Sequence, residues 1–465
     1  MAPLALFLTL VFIGWLLVRD SRQRASVSAA VWIPTLLLLI LGSRPLSLWL
    51  GGTSVTSTME DGAGGSLIDQ VFYLSVIVGG WIVASTRRLS WSKLFAANTS
   101  ILLLYSYFAI SVLWSGDPAG SFKRLSKDFG MVFVIAVIFS EKDPLEAVRA
   151  VFVRCACVLF PLSVVFIRYF PNMARSYSRA GEELLAGVTT QKNTLGEIIL
   201  VFGLFLIWDC LEARLAGAKW LSGRMLWDRL ALLAMGAWLL YMSQSKTALI
   251  CLLIGAFLVL RRGRLASRNF SRFVLFVALS LPFLMFSVQQ FSSVIAPLVE
   301  AVGRDVTFTG RTDIWEHISL ATVNPLVGSG YWNFWGGKGG LAISEAMQTT
   351  VPNAHCGYLD IFLDGGMVGL FLLFSMLVVC ANRLIRTPRT DRYQQVRLAL
   401  LIVMVIYNLS ESTFVRLSPT WVATLLVLID FPFIRANGTM PEVSPTALSE
   451  DVGLAIGYSP QDISG

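Results

Sequence analysis

The chain has 465 residues, of which 55% are apolar and only 14% charged, whereas a soluble domain carries charge on about a quarter of its residues. With a mean hydropathy of +0.68, this composition excludes a soluble globular enzyme. The net charge of +8 is spread over short polar connections and forms no single basic face, which excludes nucleic-acid binding.

Apolar runs approaching the length of a bilayer span recur along the whole chain. They are continuous where barrel strands would alternate, so the fold class is all-α, a polytopic integral membrane protein. The first run, 3–18, has no basic residue before it and Arg19, Arg22 and Arg24 after it. That is the reverse of a secretory signal peptide, and the run reads as a retained helix. Further runs at 28–42, 67–85, 94–113, 122–140, 150–168, 193–209, 229–242, 247–260, 272–290, 357–381, 398–410 and 419–434 predict about 12–13 transmembrane helices. Most of the 37 Lys and Arg fall in alternate connections, at 19–24, 86–93, 141–154, 210–229, 261–272 and 382–397. The positive-inside rule assigns these to the cytoplasm and gives their basic residues a topogenic role. The segments 51–66, 114–128, 168–192, 243–246, 291–356 and 410–418 then face outward. The expected organisation is an N-terminal helix bundle (1–290), one large extracytoplasmic loop with short helices (291–356), C-terminal membrane helices (357–434) and a disordered cytoplasmic tail (435–465). The six cysteines show neither a disulfide framework nor metal-ligand spacing.

Two segments share a pattern: TTQKNTLGEI at 189–198 and SQSKTALI at 243–250 each open an apolar helix with a short polar run containing a lysine. A helix N-terminus offers free N–H groups and a partial positive charge, which suits an anion. A lysine is locally unfavourable there, so Lys192 with Asn193, and Lys246 with Ser245, point to a bound phosphate; the alternative is lysines snorkelling to the interface. Arg168, Arg175 and Arg179 are interleaved with Tyr169 and Tyr177. Arginine grips phosphate bidentately and tyrosine stacks on sugars, while Glu182 and Glu183 offer these arginines ordinary ion pairs.

The stretch 305–369 is the long water-compatible passage and holds both histidines. Asp313 and Glu316 open a helix that Asn324-Pro325 would end, with Ile314, Ile318 and Ala321 on its apolar face. His317 lies inside that helix and reads as structural. Arg311 precedes it, at the end where an anion is favoured. The run GSGYWNFWGGKGG reads as a flexible lid. His355 follows Asn353, a plausible N-cap, and starts the run GYLDIFLD. The helix dipole disfavours a cationic imidazole at that point, so His355 is expected neutral and able to act as a general base. Gly365-Gly366 is expected to separate a short outer helix from the membrane span.

In order along the chain, Trp114-Ser115 with Asp117-Pro118, QKNTLG (191–196), SQSKTAL (243–249), GRTDIW (310–315), NPLVGSGY (324–331) and AHCGYLDIFLDGGMVGL (354–370) resemble the O-antigen ligase and polymerase superfamily. Within it they most resemble the exopolysaccharide-production polymerase branch, over residues 94–374. The resemblance implies a GT-C-like helical fold and a metal-independent inverting glycosyltransferase without cofactors, in the bacterial inner (plasma) membrane with its site facing the periplasm. It implies an undecaprenyl-diphosphate-linked glycan as donor, a glycan or lipid A core as acceptor, membrane lipids as surroundings and a chain-length regulator as a further partner. The family's functional positions fall on His355 and Arg311, and Lys192 and Lys246 match the lysines of the shorter motifs. Two departures stand out: Gln191 replaces a histidine common in relatives, and Cys356 replaces a common asparagine. Three readings follow: a polymerase, a ligase joining glycan to lipid A core, and, from another class, a flippase for lipid-linked oligosaccharide. A transporter places ionisable residues along a path at the bilayer midplane, whereas these candidates lie at one outer surface.

Overall fold

The computed structural model describes residues 1–51, 66–87, 89–177, 183–215, 224–260, 268–290, 311–386 and 392–431. The expected tail 435–465, the first part of the large loop (291–310), and Arg179 and Glu182 lie outside them. The described chain is helical apart from one small ribbon. Its main helices are α1 (Ala2–Gln23), α2 (Trp32–Leu41), α3 (Leu67–Thr86), α4 (Trp91–Ala97), α5 (Thr99–Ser111), α6 (Pro118–Phe139), α7 (Pro144–Tyr169), α8 (Lys192–Leu215), α9 (Arg224–Ser243), α10 (Lys246–Leu260), α11 (Arg268–Gln290), α12 (Arg311–Ser319), α13 (Lys338–Ala346), α14 (Gly357–Arg386), α15 (Arg392–Tyr407) and α16 (Pro419–Leu428). The ribbon pairs β1 (Arg175–Tyr177) antiparallel with β2 (Glu183–Leu185), Arg175 opposite Leu185. Helix starts follow their caps: Ser66, Asp117, Asp143 and Ser418 each accept a bond from the backbone N–H three residues on.

Helices α1, α3, α7, α8 and α14 are long and apolar enough to cross a membrane, and the pair around Asn98, bent by 92°, makes a sixth if it is one span. The chain is a multi-pass membrane protein. Among the described residues this is fewer than the expected spans, because several apolar runs fold as short helices. The helix α2 has 10 residues, α10 has 15 and α16 has 10, and at a rise of about 1.5 Å per residue none covers a core of about 30 Å. The 22-residue helix α6 is long enough but carries Lys123, Arg124, Lys127 and Asp128 in its first half.

The centre of the bundle is α7, buried along most of its length and packed by α1, α2, α8 and α9. Its Phe152 stacks on Phe205 of α8 with ring centroids 3.7 Å apart. In contrast, α1 and α3 leave Phe7, Leu8, Leu74 and Trp81 exposed, as a lipid-facing surface does.

Where α1 and α8 end and α7 and α9 begin, charges are buried together. Asp20 accepts from Arg24 at 3.0 Å, Arg154 at 2.9 Å and Arg229 at 3.1 Å. Asp209 accepts from Arg24 at 2.9 Å, Arg149 at 2.8 Å and Arg229 at 3.1 Å, and Glu146 joins Arg24 and Arg149. The sequence reading gave these arginines a topogenic role; the fold makes them internal ties between four helices. The candidate functional residues gather at the opposite end of α8.

Candidate functional site

The site rests on a break in α14. Gly366 has φ 62° and ψ −159°, a region open essentially to glycine alone. A break strands backbone groups, and at membrane depth these need protein partners. The NPLVGSGY segment supplies them: Ser329 N–H donates to Leu363 O at 2.9 Å and Gly330 N–H to Asp364 O at 2.9 Å, while Met367 N–H donates to Pro325 O at 2.9 Å and Val368 N–H to Leu326 O at 3.1 Å. The turn that enters this segment is shaped by Asn324, whose Oδ1 accepts from Leu326 N–H at 3.0 Å. Approach is so close that a Cβ on Gly328 would lie 2.5 Å from the Asp364 carbonyl, and one on Gly366 2.4 Å from that of Leu326.

The aromatic run after this turn is packed, which corrects the expectation of a flexible lid. Tyr331, Phe334 and Trp335 are buried; the Tyr331 hydroxyl donates to Val415 O at 2.9 Å and bonds the Asp128 carboxylate. Burial and the neighbouring Asp128 charge push this phenol well above its ordinary range. The Trp335 indole donates to Asp360 Oδ1 at 2.7 Å. The helix expected to open at Asp313 after Arg311 instead starts at Arg311, with Asp313 in its first turn, and is shorter than expected, ending at Ser319. Within it His317 Nδ1 lies 2.7 Å from Asp313 O, a local contact of the structural kind.

His355 stands two residues before α14, with φ 50°. Asn353 therefore caps the His355 N–H, at 2.9 Å, and not the helix itself. Its neighbours are fixed on both sides. Ala354 N–H donates to Asp360 Oδ1 at 3.0 Å and Ala354 O accepts from the Trp315 indole at 2.8 Å. Gly357 N–H donates to Asn408 O at 2.9 Å and Glu411 O at 3.0 Å. Asp360 and Asp364, one helical turn apart, face Arg416 at 3.2 and 3.6 Å. Burial would lower the Arg416 guanidinium, but these carboxylates outweigh it and raise it. Burial also pushes the Cys356 thiol up to about 11, so it is no thiolate at neutral pH.

The candidates meet at a residue the sequence reading passed over, Glu411. Its Oε1 lies 2.9 Å from Arg311 Nη2, its Oε2 3.9 Å from His355 Nδ1, and Oε2 accepts from Asn193 Nδ2 at 3.5 Å. The preceding Ser410 bonds Thr247 at 2.8 Å. Four motifs far apart in sequence thus converge on 410–411. The one available signal was a lone acid between two apolar runs, which by itself names no role. His355 Nδ1 is buried without a hydrogen-bond partner.

Lys192 and Lys246 are the first residues of α8 and α10, half-buried and exposed respectively. The two helix starts press together: a Cβ on Gly196 would lie 2.6 Å from Ser245 Cβ. Ser245 is accordingly buried, its N–H donating to Ser243 Oγ at 3.3 Å. Arg175 sits apart on the ribbon, exposed and 2.5 Å from Glu183, and no contact among the described residues joins it to Glu411. Arg44, also unanticipated, donates to Val188 O at 3.3 Å and Thr189 O at 3.2 Å, holding the approach to Lys192.

Residues 230–374, from α9 into α14, match the O-antigen ligase family model. The chain is 26% identical over 342 residues, 70% of this chain and 73% of the other, to the exopolysaccharide production protein ExoQ of Rhizobium meliloti (strain 1021). The matched segment carries the SQSKTAL, GRTDIW, NPLVGSGY and AHCGYLD motifs, so it is over this segment that the chain is similar to the O-antigen ligase family, with the likeness to the exopolysaccharide production protein extending over 342 residues.

Proposed function

We propose that the protein is an inverting glycosyltransferase that polymerises undecaprenyl-diphosphate-linked glycan at the periplasmic face of the bacterial inner membrane. The convergence of Arg311, His355 and Asn193 on Glu411 carries the reading, because it gathers a candidate base and anion-binding groups at one end of the bundle. An acceptor sugar hydroxyl attacks the donor's anomeric carbon from the face opposite the leaving group; the bond from that carbon to the diphosphate oxygen breaks, inverting the centre. Arg311, with Lys192 and Lys246, stabilises the charge that develops on the departing lipid diphosphate. His355 takes the acceptor proton. Glu411 Oε2 lies 3.9 Å from Nδ1 without a hydrogen bond, close enough for its charge to stabilise the imidazolium once the proton is taken. Ser245 shapes the contact between the two lysine-bearing helix starts, and Arg175 is proposed for a more distant part of the glycan.

A His355→Ala variant is expected to insert normally and to lose about two to four orders of magnitude in rate, a barrier increase of roughly 3–5 kcal/mol. Arg311→Lys keeps the charge without the bidentate fork and should recover only part of the activity. The test is a deletion strain complemented with each variant and examined for exopolysaccharide, O-antigen chain length and core-linked glycan together. Wild-type polymer from His355→Ala sinks the role of the base. Loss of exopolysaccharide alone supports polymerisation, whereas accumulation of unligated long chains assigns the enzyme to ligation.

A further inference from the structure

Three cations stand on the second and third turns of α6: Lys123, exposed, and Arg124 and Lys127, half-buried. None of the three forms an ion pair among the described residues. Asp117 hydrogen-bonds the Gly120 N–H at 3.0 Å and Asp128 the Tyr331 hydroxyl; Asp117 still acts on Arg124, and Asp128 and Asp69 on Lys127, through space, but without closing an ion pair. What the cations do touch is aromatic: Arg124 lies over the Trp332 ring at 5.3 Å and Lys127 over that of Tyr73 at 5.7 Å. Apolar side chains flank them, Phe122 at 62% and Leu113 at 81% exposure. Positive charge bordered by exposed apolar surface fits an anion that arrives on a lipid.

We infer that this patch holds the diphosphate of a second lipid-linked glycan, the acceptor; the inference rests on the polymerase reading above. Joining two lipid-linked glycans requires both diphosphates to be present at once. The donor's bond to its anomeric carbon breaks and that diphosphate leaves, while the acceptor's diphosphate keeps every bond. A single anion site serves a ligase whose acceptor is a core sugar; a polymerase needs two. The patch also connects to the base. Arg416 lies over the same Trp332 ring at 4.1 Å and faces Asp360 at 3.2 Å, which holds the Ala354 N–H at 3.0 Å, one residue from His355. Arg416 is itself buried, and its Nη1 has no hydrogen-bond partner.

The test uses the purified full chain in phosphatidylcholine nanodiscs, titrated with undecaprenyl diphosphate and read by native mass spectrometry. Wild type is expected to bind two equivalents. Lys123→Gln/Arg124→Gln/Lys127→Gln should bind one, its second site weakened on the order of a hundredfold; Arg311→Gln/Lys192→Gln/Lys246→Gln should lose the other. Single Lys123→Gln changes only an exposed residue, so it folds independently of the other two substitutions, and a weakening of several-fold is expected. One equivalent on wild type, or unaltered binding by the triple α6 variant, overturns the assignment. So does displacement of the second equivalent by an equal concentration of phosphatidylglycerol, which gives the patch to phospholipid headgroups. Binding is read without turnover, so an active His355→Ala variant would sink the chemistry while leaving this stoichiometry intact.

Discussion

Glu411 does with one carboxylate what no motif announces. Its buried charge answers Arg311 at 2.9 Å and stands 3.9 Å from the His355 ring, so a diphosphate binding Arg311 must compete with it. Glu411→Gln keeps the shape and removes the charge. On the proposed mechanism Arg311 is then free for the donor, while the His355 ring loses its only facing acid among the described residues. The expected outcome is a lower KM for donor together with a kcat reduced by about 10–100-fold. Steady-state kinetics on lipid-linked donor checks this; an unchanged kcat removes Glu411 from the mechanism. His355 and Arg311 stood out in the sequence because each lies in a recognisable motif. Glu411 did not, because its partners are 100 and 218 positions away and a single acid between apolar runs has no local pattern.

Among elements, α14 shows how a helix interruption is made safe. The sequence reading placed a divider at Gly365-Gly366, and the backbone breaks at Gly366. The partner of that break was hidden, since nothing local in NPLVGSGY says it will dock on residues 363–368. The same blindness explains the lid expectation, because glycine and aromatic content indicates irregular backbone but not whether it is buried. Gly366→Ala combines a forbidden φ/ψ with a Cβ 2.4 Å from the Leu326 carbonyl, and should cost about 2–4 kcal/mol. A thermal-shift measurement in detergent should show a clearly lowered midpoint, with loss of polymer in cells; a wild-type midpoint would mean that the loop yields. Gly203 is the control, since a Cβ there meets nothing closer than 3.6 Å.

For the whole molecule, hydropathy made the membrane class and the helical fold readable, and charge counts described the connections. Neither could show that Arg24, Arg149, Arg154 and Arg229 turn inward, because counting a residue in a loop says nothing about which side it faces. Asp209→Ala would leave three of these guanidiniums, from Arg24, Arg149 and Arg229, short of a counter-charge, at a cost of about 3–5 kcal/mol. Low yield and early melting are the expected signs, distinct from His355→Ala, which should purify normally; a stable Asp209→Ala variant would show that water reaches this cluster. The same network gives the bundle a mechanical polarity. Four helices are riveted at the end where Asp20 and Asp209 lie, and α8 runs from there as a strut to Lys192 and Asn193. Arg311 and His355 ride on segments outside those rivets and meet the strut through Glu411. The site is therefore anchored from two sides: α8 sets Asn193, while the bonds of the 324–331 segment to α14 and of Ala354 to Asp360 and Trp315 set the loop that carries Arg311 and His355, and a single carboxylate joins the two frames.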